Sequence, residues 1–140
     1  MDSSRSGEEA TALAAGGDFD AAQRAFLSAI ESDRAFIPAY VNLADVYRGR
    51  GQEGDVERTL RDALAAVPAS GAAHHALGLA LIRQARAAEA VAELGEAARL
   101  EPDNARFAYV YVIALHDTGD PARALTVLDA ALKRHPDDPG

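Results

Sequence analysis

The sequence predicts an all-α chain, a solenoid of four tandem 34-residue helix-turn-helix units. Three observations carry this reading. Small residues recur in register: Gly17, Gly51, Ala85 and Gly119 stand 34 residues apart, as do Ala22, Val56, Ala90 and Ala124, and Ala29, Ala63, Ala97 and Ala131. Arg34, Pro68, Pro102 and Pro136 form a fourth series at the same step. Between these markers, apolar residues recur at helical spacing in two stretches per unit. The units are 3–36, 37–70, 71–104 and 105–138, together one domain over 1–140.

Unit one has a weak first helix, "SGEEATALAAGG", and a well-formed second one carrying Ala22, Phe26 and Ala29. In unit two, Tyr40, Leu43, Ala44 and Tyr47 line one helix face, and Val56, Leu60, Ala63 and Leu64 line the next. Gly51 follows the first of these helices, where a left-handed residue stops it. Unit three has Ala85 at that turn, so either local strain or a different turn is expected there, a left-handed alanine costing on the order of 1 kcal/mol. Unit four reads "TGDPARAL", with Asp120 as N-cap and Pro121 at the first helical position. The proline closing units two to four keeps each second helix from running on.

Composition narrows function. Of 140 residues, 49% are hydrophobic, enough for a core, and much of that is alanine, which predicts close helix–helix packing. Cysteine is absent, which excludes disulfides, thiolate chemistry and CxxCH haem attachment within this chain. No apolar run approaches the roughly 20 residues of a membrane span, and "MDSSRSGEEA" lacks the order of a secretory signal. A cytoplasmic location is expected. The net charge of −8 and the lack of a basic stripe disfavour nucleic acid and anionic membrane as partners. Neither G-x-S-x-G, H-E-x-x-H nor a phosphate-binding glycine loop occurs, so no enzymatic activity and no cofactor is expected.

The repeat pattern resembles the tetratricopeptide repeat (TPR) family over nearly the whole chain. The family's large-Leu-small-large positions of helix A match Tyr40, Leu43, Ala44 and Tyr47, and again His74, Leu77, Gly78 and Leu81. Its helix B signature matches Ala90, Leu94, Ala97 and Pro102. Unit one departs with Glu9, and unit four with Ala108, Tyr111 and Val112. The resemblance implies a right-handed superhelix of eight helices, with the A helices lining a concave face. The stretches "FIPAYVNLADVYR" and "PDNARFAYVYVIALHDTGDPARALTVLDAALKRHP" are also similar to the TPR tail of some bacterial multihaem cytochromes. That second likeness implies a docking module of a larger, exported redox protein, with a periplasmic location.

His74 and His75 head "AAHHALGLALIRQ". Adjacent helical residues are about 100° apart and cannot chelate one ion, so no metal site is expected. The resemblance makes His74 a packing residue and puts His75 on the concave wall, with Glu89 the nearest carboxylate in sequence. The concave positions carried over are Val41, Asn42, Asp45 and Arg48 in unit two, His75, Leu79, Ile82 and Arg83 in unit three, and Tyr109, Val110, Ile113 and His116 in unit four. Five of these are apolar or tyrosine in the last two units, rimmed by arginine, which suits a partner peptide or helix. A terminal segment folded over the patch is the alternative. The family's dicarboxylate clamp finds one match in five, so acidic chaperone tails are not expected ligands. Leu125, Leu128 and Leu132 form a last face with no further unit after it, which suits self-association into a homodimer.

Overall fold

The computed structural model describes residues 18–134. It shows seven α-helices and, among the described residues, no strand: α1 (Phe19–Ser32), α2 (Ile37–Gly49), α3 (Glu53–Ala66), α4 (Gly71–Arg83), α5 (Ala87–Leu100), α6 (Ala105–Asp117) and α7 (Pro121–Arg134). The first helix expected for unit one, and with it Gly17, lies outside the described residues, as do His135 and Pro136.

Local chemistry sets the helix boundaries. Asp18 caps α1 by accepting the Ala21 N–H at 3.1 Å, Asn104 caps α6 through the Phe107 N–H at 3.1 Å, and Asp120 caps α7 through the Arg123 N–H at 3.1 Å. Ser70 does the same for α4, accepting from Ala73. The turns inside the hairpins share one hydrogen-bond pattern. The N–H groups of Gln52, Arg86 and Asp120 each donate to the carbonyl five residues back, at 2.9 Å in all three. The residue before each donor is left-handed: Gly51 at φ 74°, Ala85 at φ 60° and Gly119 at φ 89°. This is the Schellman arrangement, which satisfies carbonyls that a helix end otherwise leaves bare. Of the two outcomes expected at position 85, strain or a different turn, the structure shows the strained alanine in the same turn.

The chain divides into two compact units, residues 1–73 and 74–140. In the first, α2 packs against both α1 and α3. Phe26, Val56 and Leu60 are almost fully enclosed there. Tyr40 sits against Ala63 and Ala73, with Ile30, Ile37 and Leu64 around it, and its hydroxyl donates to the Arg34 carbonyl at 2.7 Å. In the second unit, α6 packs against α5 and α7 around Leu94, Tyr111, Ala114, Leu115 and Ala124. Gly78 lets Leu94 of α5 approach α4: a Cβ at position 78 would stand 2.6 Å from Leu94 Cγ. No helix among the described residues is long and apolar enough to cross a membrane.

Two substitutions test this packing. Ala85→Gly relieves the left-handed strain and should raise unfolding free energy by about 1 kcal/mol in urea titrations. Gly78→Ala should lower it by about 1–2 kcal/mol, because the clash with Leu94 exceeds the roughly 1 kcal/mol gained in helix propensity.

Candidate functional site

Helices α4 and α6 of the second unit meet through an aromatic stack. The His75 ring lies on Phe107 with centroids 4.4 Å apart and planes 20° from parallel. His75 is only 5% exposed, which corrects its expected place on an open wall. Its neighbours explain the difference: α4 is buried over a wide arc that includes Ala73, Leu77, Ala80 and Leu81, so position 75 faces protein rather than solvent. Neither ring nitrogen has a hydrogen-bond partner among the described residues. Burial, reinforced by the nearby Arg106 guanidinium, pushes the imidazole down to about 4 from its ordinary 6.5. The ring is held neutral.

His74 has a different environment. Its Nδ1 stands 2.6 Å from Glu93 Oε2 on α5, with both side chains mostly enclosed. The carboxylate that meets it is thus Glu93, one helical turn beyond Glu89, which instead pairs with Arg86 at 2.5 Å. His116 is exposed at the end of α6, 3.5 Å from Asp117. No cluster of three His, Asp or Glu suited to a metal ion occurs among the described residues.

The remaining wall positions fall into two sets. On α2 of the first unit, Val41 and Asn42 are half-buried while Asp45 and Arg48 are exposed. In the second unit, Leu79 is half-buried and Arg83 exposed on α4, and Ile82 leaves 46% of its surface uncovered. On α6, Ile113 is 59% exposed and His116 is exposed, whereas Tyr109 is half-buried. Val110 turns partly inward and packs on the Leu94–Tyr111–Leu115 core, which leaves it less available than its position suggested. The Tyr109 hydroxyl is buried with no hydrogen-bond partner among the described residues.

A separate apolar cleft of about 420 Å³ opens between α6 and α7, lined by Val112, Ile113, Pro121, Ala124, Leu125 and Leu128, with His116 and Asp117 at its rim. The leucines expected on this face are indeed uncovered: Leu125 is 60% and Leu132 41% exposed. The sequence had not singled out Leu27 of α1, which is 44% exposed.

Residues 81–140 match the family model described as tetratricopeptide repeat. No curated protein matches the sequence. Among solved structures, the chain is similar to MamA 41-end from Desulfovibrio magneticus RS-1, at 19% identity over 99% of this chain and 78% of that one, with a TM-score of 0.76. It is also similar to YrrB, described as a TPR protein with an unusual peptide-binding site, at 21% identity over 96% of this chain and 70% of that one, TM-score 0.72. The pilF protein of Pseudomonas aeruginosa resembles it at 22% identity over 98% of this chain and 63% of that one, TM-score 0.79. Likeness at these identities is likeness of fold. The fold is that of a tetratricopeptide-repeat protein, a helical-repeat architecture.

The buried imidazole makes stability depend on pH. Its folded pKa lies below the unfolded value, so its contribution is complete above pH 6.5 and is lost as pH falls toward about 4. Allowing for solvent access, the loss should amount to about 2 kcal/mol. His75→Phe should flatten that window in urea titrations at stepped pH, and stabilise the chain by about 1 kcal/mol at pH 7 because two unpaired polar atoms leave the interior.

Proposed function

We propose that this chain is a non-catalytic interaction module that takes a partner peptide or helix on the face formed by α4 and α6 of the second unit. The observation that carries the reading is the pair of exposed isoleucines, Ile82 on α4 and Ile113 on α6, on helices that the His75–Phe107 stack holds together. Large aliphatic side chains at 46% and 59% exposure are candidates for contact with something other than water. Arg83 and His116 border them and supply polar contacts to a ligand backbone or side chain. The ligand this favours is a segment with one or two apolar side chains. On α2, Val41, Asn42, Asp45 and Arg48 make a second set of the same character, with Asn42 suited to hydrogen-bonding a peptide amide. The fold-level likeness to YrrB, with its described peptide-binding site, supports a peptide as the ligand class.

The test starts from peptides selected on the full chain from a random display library, labelled with fluorescein and titrated by anisotropy. Ile82→Glu should weaken binding at least tenfold, about 1.4 kcal/mol, while far-UV circular dichroism stays unchanged because the residue is exposed. Equal binding by both forms refutes the α4–α6 face as the site.

A further inference from the structure

We propose that the α6–α7 edge of the second unit is a self-association surface, on which α7 pairs antiparallel with α7 of a second copy of this chain. The repeat register supplies the first argument. Phe26, Leu60 and Leu94 occupy one position at steps of 34 residues and are 1%, 1% and 0% exposed. Leu128 is the next member of that series, yet it lies half-open in the cleft wall. A position that is otherwise core is here missing its cover.

The spacing along α7 supplies the second. Pro121, Leu125, Leu128 and Leu132 follow one another at four, three and four residues, the a/d pattern of a two-helix seam. Leu125 and Leu132 on that seam are 60% and 41% exposed, and Ile113 on the α6 wall of the cleft is 59% exposed.

Charge fixes the direction and the occupant. With α7 set antiparallel to its copy and Leu125 against Leu128 of the second copy, two-fold symmetry places Leu128 against Leu125 in return. Pro121 then meets Leu132 of the second copy, and the next pair outward is Lys133 with Asp120 of the second copy. The chain's single lysine thus falls opposite an acidic residue, twice per dimer. Asp120 caps α7 through one carboxylate oxygen, which leaves the second to accept from the lysine. The antiparallel setting also opposes the two helix dipoles, and the basic last turn of α7, Lys133 and Arg134, lies at the negative end of its own helix.

The area suits a weak, reversible dimer. A helix of 14 residues is about 21 Å long and a face two helices wide spans about 20 Å. That gives a footprint of roughly 400 Å² per copy, below the size of a standard stable interface.

Sedimentation equilibrium of the full chain, from roughly 1 μM to 1 mM, tests the proposal. The expected result is a monomer–dimer equilibrium reaching twice the 14.7 kDa chain mass. Leu125→Glu should raise the dissociation constant at least tenfold with an unchanged circular dichroism spectrum, and Asp120→Asn, which keeps the cap, should weaken the dimer several-fold in low salt only. Oxidative cross-linking reads the geometry: a mixture of Leu125→Cys and Leu128→Cys chains should yield the mixed disulfide, since the chain has no other cysteine. A wild type that stays monomeric throughout overturns the proposal and leaves this edge to a neighbouring segment of the polypeptide or to another protein. A dimer that survives Leu125→Glu overturns it too, placing association elsewhere. Ile113 borders both surfaces, whereas Ile82 belongs only to the α4–α6 face and Leu125 only to the α6–α7 edge, so Ile82→Glu and Leu125→Glu distinguish loss of peptide binding from loss of the dimer.

Discussion

Everything in the architecture depends on a backbone reversal repeated without change. At Gly51, Ala85 and Gly119 the chain enters the left-handed region, and the next N–H returns to a carbonyl five residues back. That one hydrogen bond ends a helix, satisfies a carbonyl and sets where the following helix starts. The connections after α1, α3 and α5 repeat as well: Asp33, Val67 and Glu101 donate to Ala29, Ala63 and Ala97, and Phe36, Ser70 and Asn104 donate to the residues three before them. With both reversals fixed, the side chains have only to fill the spaces between helices of settled length. Alanine and glycine suffice at the crossings, and larger residues such as Phe26, Leu60, Leu77, Leu81 and Leu94 fill the interior.

The persistence of Ala85 at such a turn shows how strongly the surroundings determine the backbone. Alanine disfavours this conformation by itself, yet the Arg86 N–H still reaches Leu81 at 2.9 Å, as the corresponding bonds do where glycine is present. Gly78 and Leu94, in close contact between α4 and α5, hold together the two helices that this turn joins.

Turns, caps and register could be read from the sequence because each depends on residue type at a local position. Asp120 and Pro121 at the start of α7, the left-handed Ala85 and the uncovered Leu125 and Leu132 are all of this kind. What escaped is what depends on a partner far along the chain. The family resemblance puts His75 on the concave wall, and only the arrival of Phe107, 32 residues later, turns it into an interior ring. The choice between Glu89 and Glu93 for His74 rests on one turn of axial offset between α4 and α5, which periodicity does not encode. Val110 is half-buried for a related reason, since the width of the buried arc on α6 is decided by how deeply it sits on α5 and α7. Two neighbouring histidines thus share a residue type and little else: one stands against a carboxylate, the other is stacked on a ring.

The helix contacts have a kinetic consequence. α1 meets α2, α2 meets α3, α5 meets α6, and α6 meets α7, so each of these pairings joins neighbours in the chain. Low contact order of this sort goes with folding in microseconds to milliseconds, because little loop entropy is lost before a contact forms. A ribosome adds residues at roughly 5–20 per second, so each hairpin can close within a small fraction of the time needed to synthesise the next. The polypeptide can therefore acquire its structure in the order in which it is made, with hydrophobic surface left open chiefly at its growing edge.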